Sequence, residues 1–318
     1  MITTVTLNPA IDKVVEVNEL TLGQVHRVSN QVVSLGGKSI NVARILTGLS
    51  CKTKAVCYLG EKNIGEIEAL SKEDSIELDP IMLEGITRTN TKLVEPDKSY
   101  RTTDINEIGF SVNEEQLNAM TKLISDCADA SDYLVVSGSL PQGVHVSYYK
   151  ELALNLGSQT KVIIDADGEI LMAAMEGSPF LIKPNIHELE SAVGRTLEND
   201  ADIIEVCKEL ITTYGITYIL VSLGDKGSIL VGASLVLIAE AMKVQVVSTV
   251  GAGDSMLAGF IYGLSECAYE PTVGQLKKAL ACGVASSSIA ISTQEHKSFE
   301  ATQLIEVANK VIIKEISI

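Results

Sequence analysis

From about residue 110 onward, helix-like segments alternate with short runs of β-branched residues, and no other feature of this 318-residue chain restricts its fold as strongly. Repeated strand-helix-strand units return to one sheet as parallel crossovers, so the alternation specifies a mostly parallel sheet with helices on both faces. The periodicity predicts helices over 113–126, 146–156 and 201–213, and strands over 133–136, 162–164, 180–182 and 218–221. A strand over 243–247 is expected to pass through a Gly-Ala-Gly turn into a helix beginning near Asp254. Two helices, over 273–291 and 301–314, are expected after it. The apolar stretch from Ile229 to Ala239 is broken by Gly232 and is shorter than the ~18 residues of a membrane span, so it reads as two strands around a turn.

Two regions depart from the alternation. Residues 13–35 and 88–106 are rich in Val, Thr and charged residues with period-2 stretches such as Val14-Val15-Glu16-Val17, the pattern of half-exposed strands. Together they are expected to form a small sheet that covers a site. With no internal repeat, low-complexity segment or Pro/Gly-rich linker, residues 1–318 read as a single domain. The start, Met1 to Leu7, lacks a basic segment and a long apolar run, and reads as a first strand instead of a signal peptide.

Charge and cysteine usage narrow the function. A formal net charge of -16 argues against a nucleic acid or anionic lipid partner, because such surfaces are held by clustered Lys and Arg. Cys51, Cys57, Cys127, Cys207, Cys267 and Cys282 contain no C-x-x-C pair, so they read as reduced thiols of a cytoplasmic protein, not a zinc or redox motif. His26, His145, His187 and His296 show no metal-ligand spacing.

The chemistry-bearing segments follow the expected strands. Gly251-Ala252-Gly253-Asp254 opens a helix, so its backbone N–H groups and the helix dipole favour an anion. A dinucleotide fingerprint would need Gly or Ala where Met256 stands, and a P-loop would need Gly-Lys-Ser/Thr at this turn. Asp254 reads equally as a catalytic base or as a first-turn carboxylate. Gly36-Gly37-Lys38-Ser39-Ile40-Asn41 is a second glycine turn into a helix, either a tight turn or a close approach to ligand hydroxyls. Asp12, at the end of Leu7-Asn8-Pro9-Ala10-Ile11-Asp12, reads as a ligand-binding carboxylate or a turn residue. Asn185 and Glu188 could orient a hydrated Mg2+, or could form a capping box. Ser222 to Gly227 suits a nucleotide rim or a hairpin.

Taken in order, T-L-N-P-A-I-D, G-G-K-x-I-N-V-A-R, S-G-S-L-P, K-P-N-x-x-E, V-S-L-G and T-V-G-A-G-D-S resemble the ribokinase-like carbohydrate kinases over essentially the whole chain, most closely the branch acting on phosphorylated ketohexoses. The resemblance implies a three-layer α/β/α sandwich with a small β-sheet lid, and a homodimer paired through that lid. It implies Asp254 as catalytic base, Gly251, Ala252 and Gly253 as anion hole, and Lys183, Asn185 and Glu188 as the triphosphate and Mg2+ region. Ser222, Gly224 and Gly227 would form the ATP rim, with Gly283 near the adenine. Asp12, Gly37, Lys38, Asn41 and Ser139 would line the sugar, while Arg88 would clamp the phosphate the sugar already carries, with Arg27 and Arg101 either helping it or forming a solvated face of the lid. Fructose 1-phosphate is the first expected acceptor, with tagatose 6-phosphate and fructose 6-phosphate as alternatives. The chain departs from the family in Ser39, where Gly is usual, and in Asn106-Glu107-Ile108-Gly109, where an Asn-Gly-Pro-Gly-like turn is usual. These departures leave acceptor preference open at this point.

Overall fold

A computed structural model describes residues 1–96, 101–265, 270–293 and 298–316; Cys267 and His296 lie outside the described residues. The chain opens with β1 (Ile2–Thr6), makes an excursion through β2 (Ala10–Glu16) and β3 (Asn30–Gly36), and returns by α1 (Lys38–Gly48) to β4 (Thr53–Gly60), α2 (Ile64–Glu73) and β5 (Leu78–Leu83). A second excursion forms β6 (Thr89–Glu95) and β7 (Arg101–Asn106). The expected alternation then runs through α3 (Glu114–Ala128), β8 (Tyr133–Ser137), α4 (Tyr148–Leu156), β9 (Lys161–Asp165), α5 (Gly168–Met175), β10 (Leu181–Ile182), α6 (Ile186–Val193), α7 (Asp200–Tyr214) and β11 (Tyr218–Ser222). After these come β12 (Ser228–Gly232), β13 (Leu235–Ala239), α8 (Ala252–Leu264), α9 (Val273–Ile291), α10 (Ala301–Ala308) and β14 (Ile313–Ile316).

The strands form a 10-stranded sheet of order β14-β13-β12-β11-β10-β9-β8-β1-β4-β5. All neighbours from β11 to β5 are parallel, and the pairings beyond β11 are antiparallel. The sheet grows from β1 in both directions, so chain order reverses there, and a crevice opens outside the C-terminal strand ends. Period-2 alternation builds the layers. On β8, Leu134 and Val136 pack with Met120 and Ile124 of α3 and Leu152 of α4, while Tyr133 and Val135 pack with Val42 of α1 and Phe260 of α8. The result is the expected α/β/α sandwich.

Helix starts follow local chemistry. Asn113 with Gln116, Asn185 with Glu188, and Thr272 with Gln275 form reciprocal capping boxes at α3, α6 and α9. On the other side of the sheet, α8 and α9 approach at backbone distance. A Cβ on Gly259 would lie 2.3 Å from the Cys282 carbonyl oxygen, and one on Gly263 would lie 2.5 Å from the Ala279 Cα.

The excursions form a second, four-stranded sheet of order β3-β2-β6-β7, which is the small sheet expected from 13–35 and 88–106. Every residue of β7 is exposed. Two expectations need correction, and one helix was not expected. Residues 243–247 are not a strand: β13, the strand before them, already pairs with β12 on one edge and β14 on the other, so the segment cannot pair beside it. It is tied instead by Val247 and Ser248 N–H groups donating to the Ile291 carbonyl at 2.7 and 3.2 Å. The helix expected over 301–314 stops at Ala308, and β-branched residues further on favour the strand β14. Helix α5, which no periodicity pointed to, links β9 to β10. Among the described residues no helix is long and apolar enough to cross a membrane.

Candidate active site

Helix α8 is built to leave its N-terminus open. Gly251 is the N-cap residue with a left-handed φ of 70°, which glycine adopts without a Cβ penalty, and no side chain caps the helix. Its first-turn amides therefore point outward with the helix dipole behind them. The helix begins at Ala252, slightly earlier than expected, which puts Asp254 inside its first turn.

Asp254 is 8% exposed and faces α1, where the Asn41 side-chain Nδ2 donates to its Oδ2 at 2.7 Å. Burial and then the negative charge of Asp165 raise its pKa to about 6, against the opposing pull of Asn41, Lys183 and Lys38. A carboxylate of that pKa is ionised at neutral pH and still able to take a proton. Asp165, at the end of β9, receives Lys183 Nζ at 3.1 Å and Lys38 Nζ at 3.3 Å. Burial opposes its ionisation, but Lys183 and Lys38 outweigh burial and hold its pKa below the ordinary carboxylate value. For Lys38, burial works against the ammonium, and Asp165, Glu188, Asp167 and Asp254 more than offset it, raising the pKa. Lys183 is also close to the α8 turn: a Cβ on Gly253 would lie 3.2 Å from Nζ. Two lysines, an uncapped helix start and a carboxylate that can accept a proton thus converge at the crevice. Such a group can stabilise an anion and deprotonate a hydroxyl beside it.

The other expected positions divide. Asp12 lies on β2 with Asn90 Nδ2 donating to its Oδ1 at 3.0 Å, and burial raises its pKa against Asn90, Lys92, Arg44 and Arg88. Gly36 is what lets it lie across β3, because a Cβ there would be 2.1 Å from Asp12 Oδ2. Gly37 has φ 131°, and a Cβ would meet the Thr6 methyl at 2.6 Å. Ser139 is exposed at the loop after β8 and receives Asn8 Nδ2 at 3.3 Å. The Arg88 guanidinium donates to the carbonyls of Asn8, Pro9 and Glu107 at 2.9, 3.3 and 2.7 Å, so these contacts are to backbone oxygens and not to a carboxylate. Arg27 is exposed on the loop between β2 and β3. Arg101 is not brought to the crevice as an open donor: its fork closes on Glu95 at 2.6 and 2.7 Å.

Asn185 and Glu188 form the capping box of α6, with Asn185 N–H donating to Glu188 Oε2 at 2.8 Å and Glu188 N–H to Asn185 Oδ1 at 2.9 Å. That leaves the other Glu188 oxygen outside the box. Among the described residues no group of three or more His, Cys, Asp or Glu is arranged to hold a metal ion by itself. Ser222 ends β11 and bridges to Asn185. Gly224 has a left-handed φ of 62° and open space around it, whereas a Cβ on Gly227 would be 2.0 Å from the Ala239 carbonyl oxygen. Gly283 is buried between α8 and α9, where a Cβ would lie 3.0 Å from the Met256 carbonyl oxygen; it acts as a helix-contact glycine there. Ser39 is also redirected. It is fully buried, and its hydroxyl pairs with that of Ser137 at 2.7 Å, so the extra Cβ faces the sheet instead of the crevice.

Sequence reasoning missed Asp165 and Arg44. Asp165 follows the β-branched run Val162-Ile163-Ile164, and a lone carboxylate at a strand's C-terminal end was its available signal. Arg44 was read only as part of a motif, yet its Nη1 donates to Asn41 Oδ1 at 2.7 Å.

Residues 5–302 match the pfkB family carbohydrate kinases. The chain is 38% identical over 264 residues to a 1-phosphofructokinase of Escherichia coli strain K12, covering 83% of this chain and 84% of that one. It is 32% identical over 304 residues to a 1-phosphofructokinase of Bacillus subtilis strain 168, covering 95% and 96%. The crystal structure of phosphofructokinase-2 from Escherichia coli in complex with potassium superposes with a TM-score of 0.87 at 27% identity, covering 97% of this chain and 98% of that one. With the match spanning nearly its whole length and the two lysines, Asp165 and Asp254 gathered at the crevice, this chain belongs to the pfkB family of carbohydrate kinases.

Proposed function

We propose that the chain transfers the γ-phosphoryl group of ATP to fructose 1-phosphate, giving fructose 1,6-bisphosphate and ADP. The observation that carries the mechanism is Asp254, a buried carboxylate with a pKa raised to about 6 at the open start of α8. Asp254 takes the proton of the acceptor hydroxyl as the new O–P bond forms and the bond to the β-phosphate oxygen breaks. The amides of Gly251, Ala252 and Gly253, with Lys183, stabilise charge on the phosphoryl oxygens. The curated relatives named 1-phosphofructokinase support this acceptor.

On the acceptor side, Asp12, Gly37, Lys38, Asn41 and Ser139 line the sugar, and Arg88 takes its phosphate. A guanidinium has five N–H donors, and three carbonyls occupy part of that set, so Arg88 can hold the strand ends and still donate outward. Arg27 joins from the loop, while Arg101 contributes only by leaving Glu95. Ser222, Gly224 and Gly227 form the nucleotide rim. The donor set suits Mg2+ carried in by the nucleotide: such an ion keeps waters and phosphate oxygens and needs few protein ligands, which the spare Glu188 oxygen and a water on Asn185 would supply. When bound it would neutralise triphosphate charge.

ADP release measured with fructose 1-phosphate, tagatose 6-phosphate and fructose 6-phosphate tests the reading. Release is expected with fructose 1-phosphate at the highest kcat/KM. A higher value with another acceptor reassigns the substrate, and no release with any of them points to a non-catalytic phosphosugar sensor.

The same reading places the protein in the cytoplasm, in keeping with the free thiols of Cys51, Cys57, Cys127, Cys207 and Cys282. It also includes a homodimer through the small sheet. Leu22 and Val25 on its loop are 93% and 89% exposed, and Ile105 on the edge strand β7 is 57% exposed. Exposed apolar side chains on the loop and on an edge strand of this sheet favour a partner there. Light scattering is expected to return a dimer mass, and a monomer mass at micromolar concentration removes the lid contact.

A further inference from the structure

Asn41 has one amide to offer, and two groups select the same way for it to point. Its Nδ2 donates to Asp254, while its Oδ1 accepts from Arg44 Nη1, both at 2.7 Å. Asn41 and Arg44 are three residues apart on α1, so they lie on the same helix face. An arginine can only donate hydrogen bonds. If the amide flipped, its NH2 would meet the Arg44 N–H and its oxygen would meet the ionised carboxylate of Asp254, a clash at each end.

Arg44 is itself immobilised. The residue is 2% exposed, its Nε donates to Asp74 Oδ2 at 2.7 Å, and its other terminal nitrogen donates to the Leu35 carbonyl of β3. Asp74 directly follows α2 as its C-cap, so the carboxylate is supplied from outside α1. A buried arginine bound at three places and aimed at one amide oxygen does more than fill space.

We propose that Arg44, anchored by Asp74, locks the Asn41 amide in the orientation that donates to Asp254, which makes Arg44 and Asp74 positioning residues for phosphoryl transfer. The inference rests on Asp254 being the base. The charged groups around Asp254 are Asp165 at the end of β9, Lys183 beyond β10 and Lys38 on α1; Asn41 is the partner that the relay controls. Because the Asn41 hydrogen bond favours the ionised carboxylate, losing its orientation moves the ionisation of Asp254 to higher pH.

The test is the pH profile of kcat with fructose 1-phosphate and ATP for R44M, D74N, N41A and the N41A/R44M pair, each first shown to be folded by circular dichroism. R44M is expected to move the acid limb up by about one pH unit and to lower kcat below that limb about tenfold, with both KM values changing by less than about threefold. D74N, which keeps side-chain size, should move the limb the same way by a smaller amount. Adding R44M to N41A should move the limb no further, because both act through one hydrogen bond. An acid limb unmoved in D74N and R44M, or effects of N41A and R44M that multiply, overturns the relay. If R44M does not fold, the D74N limb alone decides. D254N separates the two readings: wild-type-like turnover in D254N removes the base and the relay together, whereas an inactive D254N beside an unmoved R44M limb removes only the relay.

Discussion

Replacing Asp254 with asparagine is expected to cut turnover by roughly 10²- to 10⁴-fold, the usual contribution of a positioned general base, while leaving sugar-phosphate and ATP binding nearly unchanged. Asparagine keeps the shape and can still accept from Asn41, but it cannot take a proton. The same substitution should stabilise the fold at neutral pH. The folded-state pKa of Asp254 stands near 6, above its ordinary value of 3.8, so the folded protein holds a proton that the unfolded chain has already released between those pH values. Stability from this group therefore declines as pH rises from about 4 to 6, and above pH 6 the ionised, buried carboxylate costs on the order of 3 kcal/mol. D254N should melt higher than wild type at pH 7 to 8, and the difference should vanish below about pH 4. Steady-state kinetics, titration calorimetry and thermal melts across pH read these effects. Wild-type-like turnover would sink the assignment, and a lower melting temperature at pH 8 would contradict the electrostatic account. The site then exchanges stability for a carboxylate poised to act.

Asp165→Asn should do the reverse to stability. Asp165 is almost fully buried between Lys38 and Lys183, and removing its charge leaves one buried ammonium and one partly exposed ammonium without their main partner. Breaking a buried pair in this way costs about 3 kcal/mol, at the low end of the usual range because the Lys38 side chain is 31% exposed. The pKa of Asp165 is held below its ordinary value, so its contribution is fully present above about pH 4 and is lost as pH falls through the folded-state value. The melting-temperature gap between wild type and D165N should accordingly be wide at pH 7 and narrow toward pH 3. Kinetics should show an opposite sign. Asp165 is a negative neighbour that raises the pKa of Asp254, so D165N should shift the acid limb of kcat to lower pH. A variant as stable as wild type at pH 7, or with its acid limb moved upward, contradicts this arrangement of charges.

These two carboxylates also show what was readable before the fold was known. Asp254 was legible because its signal is local: glycines at a strand-to-helix turn, in a chain whose other motifs occur in family order. Asp165 carried the same type of local signal as any acidic residue after a strand, and nothing nearby in sequence marks Lys38 or Lys183 as its partners. Arg101 was expected to help clamp a phosphate, and Glu95, which occupies it, is set opposite only when β6 and β7 pair. Gly283 looked like a nucleotide contact because the closeness of α8 and α9 cannot be read from either helix alone.

By itself the sequence determined most of the alternating elements, the two-sided sandwich, the presence of a small second sheet and the identity of the turn at Gly251, since periodicity, capping residues and glycine turns act within a few residues. Only the tertiary structure decided partners and strand edges. It kept 243–247 out of the sheet, stopped the helix expected over 301–314 at Ala308 and laid β14 beside β13, sent Ser39 toward Ser137, and joined Asp74, Arg44, Asn41 and Asp254 into one chain of hydrogen bonds. Those outcomes depend on which distant segments meet, because a hydrogen bond or ion pair is satisfied by proximity in space, and composition near either partner carries no record of it.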